Sequence, residues 1–136
     1  MAWVVDTCLL IDVAEADPSF GVSSAQGLDR LRTDGLIICP VSYVELAPVF
    51  NGDEMAQQEF LYHLSVGWRE PWTEADTRAS ATGWHRHVVG RRTGSVRKRP
   101  VADVLIGGFA VRFQGLLTRN PSDFQTIFPR LTIRTP

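Results

Sequence analysis

Leu36-Ile37-Ile38-Cys39-Pro40-Val41 is a short, unbroken apolar run rich in β-branched residues, with Asp34-Gly35 before it and Ser42 after it. Too short for a helix, it predicts a buried strand. Three more segments read as strands: Trp3-Val4-Val5-Asp6 upstream, and Leu116-Leu117-Thr118 and Leu131-Thr132-Ile133 downstream. Gly67-Trp68-Arg69-Glu70-Pro71-Trp72 is expected as a short edge strand.

Amphipathic stretches separate these runs. Leu9-Leu10-Ile11 turns into a helix, and Asp17 to Gly21 forms a loop. Residues 22–33 carry Leu28 and Leu31 at helical spacing and stop at Asp34-Gly35. Ser42 opens a helix that runs to about Phe50, and residues 53–66 predict another, with Met55, Phe60, Leu61 and Leu64 inward. Thr73 with Asp76 three residues on marks a helix start, and that helix extends to about Val89. Residues 90–100 form a polar, basic loop, and Pro100 sits at the start of a helix over 101–114, apolar nearly all round and therefore central. Gly115 ends that helix, and Pro121 to Phe128 is a short last one. Short strands alternating with helices argue for a three-layer α/β/α fold with a mostly parallel central sheet, one domain over residues 1–136.

The composition agrees. The chain has 136 residues, 44% hydrophobic and 21% charged, too apolar for a disordered chain. Its longest apolar run, Val104 to Val111, falls far short of the ~20 residues of a spanning helix. Asp6 stands where the apolar region of a signal peptide would begin, and Cys8 and Cys39 form neither a disulfide framework nor a zinc spacing. A cytoplasmic protein without a membrane partner is expected. The formal charge of −1 hides a division: residues 1–77 hold 3 basic and 13 acidic side chains, residues 78–136 hold 11 basic and 2 acidic. Such asymmetry suggests a polyanionic partner or neutralisation of one half by the other across the fold. The basic half is almost entirely Arg, suited to bidentate recognition of phosphate or carboxylate.

In open α/β sheets, ligands bind beyond the carboxyl ends of the strands. Asp6 ends the first strand, Glu45 follows the second by one helical turn, and Asp123 follows the Leu116–Thr118 strand. Asp103 opens the central helix. Each has a structural alternative. Ser42 and Glu45 have capping-box spacing, Asp103 and Asp123 can complement helix dipoles, and Asp6 can cap the segment after it. As a set the four point to a cation. Two carboxylates ~4 Å apart repel by ~4 kcal/mol at an effective dielectric of ~20, and Mg²⁺ or Mn²⁺ relieves this with oxygen ligands and retained waters. A metal-activated water can cleave a phosphodiester without a nucleophilic Ser or Cys.

Three segments together resemble the PIN-domain family, specifically VapC-type toxins of toxin–antitoxin pairs. They are Val4-Val5-Asp6-Thr7-Cys8-Leu9-Leu10-Ile11, Ser42-Tyr43-Val44-Glu45-Leu46, and Val101 to Ile106 continuing through Leu117-Thr118-Arg119-Asn120-Pro121-Ser122-Asp123-Phe124. The resemblance implies a Mg²⁺-dependent endoribonuclease, with Mn²⁺ as possible substitute, acting on tRNA, rRNA or mRNA and leaving a 5′-phosphate and a 3′-hydroxyl. Asp6 and Asp103 would be the principal metal ligands, Glu45 a third acid holding metal or water, and Asn120 or Asp123 the fourth position. Thr7 and Thr118 would supply hydroxyl support. A homodimer is implied, with an antitoxin that wraps the toxin into a heterotetramer or larger assembly. Two positions depart from the family pattern: Cys8 replaces a small polar residue, and Gly107-Gly108 costs about 1 kcal/mol per Gly relative to Ala in a helix.

Arg91, Arg92, Arg97, Lys98 and Arg99, with Arg119, are the candidate RNA-backbone contacts, in a loop that feeds into Asp103. His85 and His87, two residues apart, diverge on a helix and cannot chelate together; with His63 they are expected at or near the surface. Cys8 is expected as core filler and Trp3 as core. Trp68, Trp72 and Trp84 are candidates for RNA stacking or a protein interface. Two other readings compete: an inactive PIN fold that only binds RNA or protein, and a phosphatase with Asp6 as nucleophile. The phosphatase would want a second Asp at the position of Cys8.

Overall fold

Successive residues of β1 (Trp3–Val5) point to opposite sides of a sheet, and both sides are apolar. Trp3 and Val5 join one core with Leu36, Ile38 and Leu117, while Val4 and Leu116 join another. A strand buried on both faces belongs inside a helix-covered parallel sheet, and that is the architecture of the computed structural model, which describes residues 1–94 and 101–136. Five strands lie in the order β3-β2-β1-β4-β5, every pair parallel. The others are β2 (Leu36–Ile37), β3 (Val66–Gly67), β4 (Gly115–Leu117) and β5 (Ile133–Arg134).

One face is covered by α1 (Thr7–Ala14), α2 (Gly21–Leu31), α3 (Pro40–Leu46) and α4 (Glu54–His63), which bring Leu9, Leu10, Leu28, Leu31, Leu46 and Leu61 onto it. The other is covered by α6 (Val101–Ala110) and α7 (Pro121–Ile127), through Val104, Ile106, Phe109, Phe124 and Ile127. The long α5 (Glu74–Arg92) packs on α6 and opens with the expected Thr73–Asp76 capping box. Among the described residues no helix is long and apolar enough to cross a membrane.

Several boundaries differ from the sequence expectation. The second strand ends at Ile37, because Pro40, whose missing N–H and fixed φ suit a first helical turn, starts α3 with Cys39 as its N-cap. Ser42 therefore lies inside that helix, buried, and caps nothing. Met55 is 79% exposed rather than inward; Gln57 and Leu61 are the buried positions of α4. Helix α5 continues to Arg92, and Gly115 begins β4 instead of ending the preceding helix. Residues 95–100, with Arg97, Lys98, Arg99 and Pro100, lie outside the described residues.

The glycines of α6 have a packing reason. A Cβ on Gly108 would sit 2.8 Å from the backbone nitrogen of Ser80 in α5, and one on Gly107 would run into the ring of Phe128. Their low helix propensity is exchanged for close approach of two helices. At the end of that pair, Arg112 Nε donates to Oδ1 of the buried Asp76 at 2.8 Å and Nη2 donates to the Pro71 carbonyl at 2.7 Å.

Candidate metal centre

The chain runs outward from β1 through β2 to β3, then crosses back to place β4 and β5 on the other side of β1. The direction of winding therefore reverses between β1 and β4, and the crevice beyond their carboxyl ends is where such a sheet binds ligands. Asp6 follows β1 and Thr118 follows β4. The ladder carries on to them: Asp6 N–H donates to the Leu117 carbonyl at 2.9 Å, and Thr118 N–H to the Arg134 carbonyl at 3.0 Å.

Side chains tie the two strand ends together. The Thr118 hydroxyl, fully buried, donates to Asp6 Oδ2 at 2.7 Å and accepts from the Asn120 N–H at 3.1 Å. The Cys8 thiol donates to the same Asp6 oxygen at 3.5 Å. Thr7 Oγ1, at the start of α1, lies 2.7 Å from Glu45 Oε1 and 2.8 Å from Ser42 Oγ. One hydroxyl proton serves one acceptor, so Thr7 donating to the carboxylate leaves Ser42 to donate to Thr7. The helix that carries Glu45 is thereby bonded to the helix that follows Asp6.

These groups open onto a cavity of about 200 Å³ lined by Asp6, Thr7, Cys8, Ile11, Glu45, Asp103, Asn120 and Phe124. Asp6 is buried, Asp103 half-buried, and Glu45 and Asn120 exposed at the rim. Burial pushes the Asp6 carboxyl above its ordinary 3.8, against smaller opposing effects of the Thr118 and Cys8 hydrogen bonds, the Thr7 N–H and the Arg119 charge. Burial, followed by the neighbouring Asp6 charge, also pushes the Cys8 thiol up to about 12, so it stays protonated and is no nucleophile at neutral pH.

The donor set is hard: carboxylates, an amide and hydroxyls around a buried carboxyl whose contacting partners are uncharged. Among the described residues no three His, Cys, Asp or Glu side chains gather tightly enough to encircle one ion by themselves. Mg²⁺ does not require that, since it keeps several waters and takes one or two protein carboxylates. The residues fit a hydrated divalent cation.

No family model matches this sequence, and no curated protein does. Among solved structures the chain resembles one from the crystal structure of VapBC2 from Rickettsia felis bound to a DNA fragment from their promoter. The TM-score is 0.71 and the identity 17%, over 99% of this chain and 98% of that one. The fold is PIN-like.

On this PIN-like frame the structure brings Asp6, Glu45, Asp103 and Asn120 to one cavity from four separate segments. Asp123 is not among the residues lining it; half-buried in the first turn of α7, it has the position that complements a helix N-terminus. Asn120, one residue before that helix, lines the cavity. Arg119, expected as an RNA-backbone contact, has partners within the protein. Its guanidinium forks onto the buried Asp12, with Nε at 2.7 Å from Oδ2 and Nη2 at 3.1 Å from Oδ1, and stacks 4.0 Å from the Phe20 ring. The Arg119 side chain remains 24% exposed.

Arg91 and Arg92 are exposed in the last turn of α5. Trp3 is core; Trp68 stacks on Tyr43 at 4.6 Å, Trp72 on Phe109 at 6.3 Å, and Trp84, 40% exposed, lies 5.3 Å from the His87 ring. His63 and His85 are exposed, and His87 is buried rather than near the surface. Sequence reasoning missed Ser42 as a hydroxyl link and the Asp12–Arg119 pair. The signal for the latter is an acid inside the apolar run Leu9-Leu10-Ile11-Asp12-Val13, which a buried helix face accepts only with a partner.

Proposed function

We propose that the protein is the toxin of a toxin–antitoxin pair and a Mg²⁺-dependent endoribonuclease that hydrolyses RNA phosphodiester bonds. One observation carries the reading: Asp6, Glu45 and Asp103 line a single cavity at the reversal point of a PIN-like sheet. Asp6 and Asp103 would hold the cation, with Mn²⁺ as a substitute. When bound there, a divalent cation supplies an activated water and offsets charge on the phosphoryl group. Thr118 and Cys8 fix the carboxylate of Asp6 by donating to one of its oxygens. Glu45, at the rim and oriented by Thr7, is placed to hold a water and accept its proton. Asn120 offers an amide at the edge where a phosphate would enter.

Arg91 and Arg92 at the end of α5 are the described candidates for gripping the RNA backbone, joined by Arg97, Lys98 and Arg99 from outside the described residues. The likeness to a VapBC2 chain supports a cognate antitoxin as partner; a homodimer within a heterotetramer or larger assembly in the cytoplasm is the form proposed for it. The competing reading is an inactive PIN fold that binds RNA or protein. It draws on the lack, among the described residues, of a ready three-ligand cluster.

Incubating purified protein with structured and unstructured RNAs, with and without Mg²⁺, separates the two. Cleavage to 5′-phosphate ends by wild type, lost in Asp6→Asn and in Asp103→Asn, is the expected result. Equal cleavage by wild type and both variants would remove the assignment, and binding without cleavage of any RNA tried would favour the binding module.

A further inference from the structure

We propose that the pair of buried Asp12 and half-buried Arg119 is a positioning device for the metal centre, holding the turn after β4 so that Thr118 and Asn120 are presented to Asp6. The inference rests on the reading above, that this cavity holds a divalent cation. Arg119 lies in the chain between the two residues in question. The Thr118 hydroxyl gives its single proton to Asp6 Oδ2 while a lone pair accepts from the Asn120 N–H, so the two partners together fix its orientation. The shape of the 118–120 turn therefore decides which way the Thr118 proton points and where the Asn120 amide stands at the rim.

That turn has no repeating hydrogen-bond pattern of its own to hold it. Besides the Thr118 N–H bond to the Arg134 carbonyl, it is held by the Arg119 side chain, which reaches Asp12 of α1. The two-pronged contact to Asp12 fixes the guanidinium plane, Ser24 Oγ of α2 donates to the same Asp12 oxygen at 2.8 Å, and Phe20 covers the guanidinium face. Asp12 is 5% exposed and Ser24 fully buried, so the grip is a built interior site and not a surface ion pair. Asp12 also stands on the helix that begins immediately after Asp6. One pair thus locks the segment following β1 to the segment following β4, which are the two that meet at the cation. Groups that orient metal ligands from behind commonly change metal affinity or activity by about 10–100-fold when removed.

The test uses Arg119→Ala, Arg119→Lys, Asp12→Ala and the double variant Asp12→Asn/Arg119→Met, which replaces the pair by uncharged groups of similar shape. Three readouts are compared below the melting temperature of each protein: Mn²⁺ affinity by electron paramagnetic resonance, RNA affinity with its salt dependence, and the separation of kcat from KM. Each folded variant is expected to bind Mn²⁺ about tenfold or more weakly and to lose kcat, with RNA affinity and KM within twofold of wild type. Arg119→Lys does not rescue, since an ammonium cannot make the fork. The double variant is no worse than the worse single one, the behaviour of two groups acting as a unit. Where a single variant with an unpaired buried charge fails to fold, the double variant decides.

Unchanged Mn²⁺ affinity in a folded variant overturns the proposal and leaves the pair a structural brace. Unchanged Mn²⁺ affinity with weaker RNA binding, and a salt slope shallower by about 0.7, overturns it in favour of a direct phosphate contact. Failure of wild type to bind Mn²⁺ removes the metal centre itself and the proposal with it, a result distinct from the other two.

Discussion

Asp6 is under two opposed demands. Burial beyond β1 raises the proton affinity of its carboxyl, while a cation site needs it ionised. A native pKa above the ordinary 3.8 means that the folded chain holds the proton more tightly than the unfolded one. Stability from this group is therefore complete at pH below 3.8 and falls as pH rises through the native value, so that at neutral pH the buried charge is a cost. Asp6→Asn should raise the melting temperature of the metal-free protein at neutral pH and abolish any further rise on adding Mn²⁺, measured by thermal unfolding with and without metal. A lower melting temperature for the metal-free variant would contradict the burial argument. Cys8, with its thiol near 12, should react with iodoacetamide at pH 8 on the order of a hundredfold more slowly than an open thiol. The carboxylates were legible in the sequence because each follows a strand or opens a helix. The hydroxyls of Ser42 and Thr118 were harder to rank, since a hydroxyl's worth depends on partners 35 and 112 residues away.

Elements were read well where a run was apolar throughout and less well where a helix started inside it. Leu36 to Val41 looks uniform as composition, yet Pro40 divides it into a two-residue strand and the first turn of a helix, which moves Ser42 from cap to interior. Spacing alone places Met55 inward, but the buried stripe of α4 passes through Gln57, whose amide donates to the Tyr43 carbonyl at 2.7 Å. The glycines of α6 illustrate the same limit from the other side. Helix propensity alone assigns Gly108→Ala a gain of about 1 kcal/mol. The added Cβ would meet the Ser80 backbone of α5, so the substitution should instead destabilise by about 1–3 kcal/mol in urea unfolding. A gain in stability would show that α5 and α6 have room to separate.

Across the whole molecule the charge division of the sequence is resolved partly within the protein. Arg119 reaches back to Asp12 and Arg112 to Asp76 and Glu70, each joining the basic part of the chain to the acidic part, and Arg78 pairs with Glu74 on the exposed surface of α5. Some arginines thus neutralise acids across the fold, while Arg91 and Arg92 stay exposed at the end of α5. Composition could not divide the arginines between these roles, because the division depends on which helices meet. Arg112→Ala leaves Asp76, 1% exposed, without its ion pair and should cost about 3–5 kcal/mol in chemical denaturation; Arg112→Met/Asp76→Asn should recover most of that loss. The claim on which the rest depends is that the cavity between β1 and β4 binds a divalent cation through Asp6 and Asp103. A Mn²⁺ titration followed by electron paramagnetic resonance on wild type, Asp6→Asn, Asp103→Asn and Asp123→Asn tests it most directly. A saturable site in wild type and Asp123→Asn that disappears in the other two is the predicted result; a wild type that takes up no Mn²⁺, or a site that survives in Asp6→Asn and Asp103→Asn, would contradict the account.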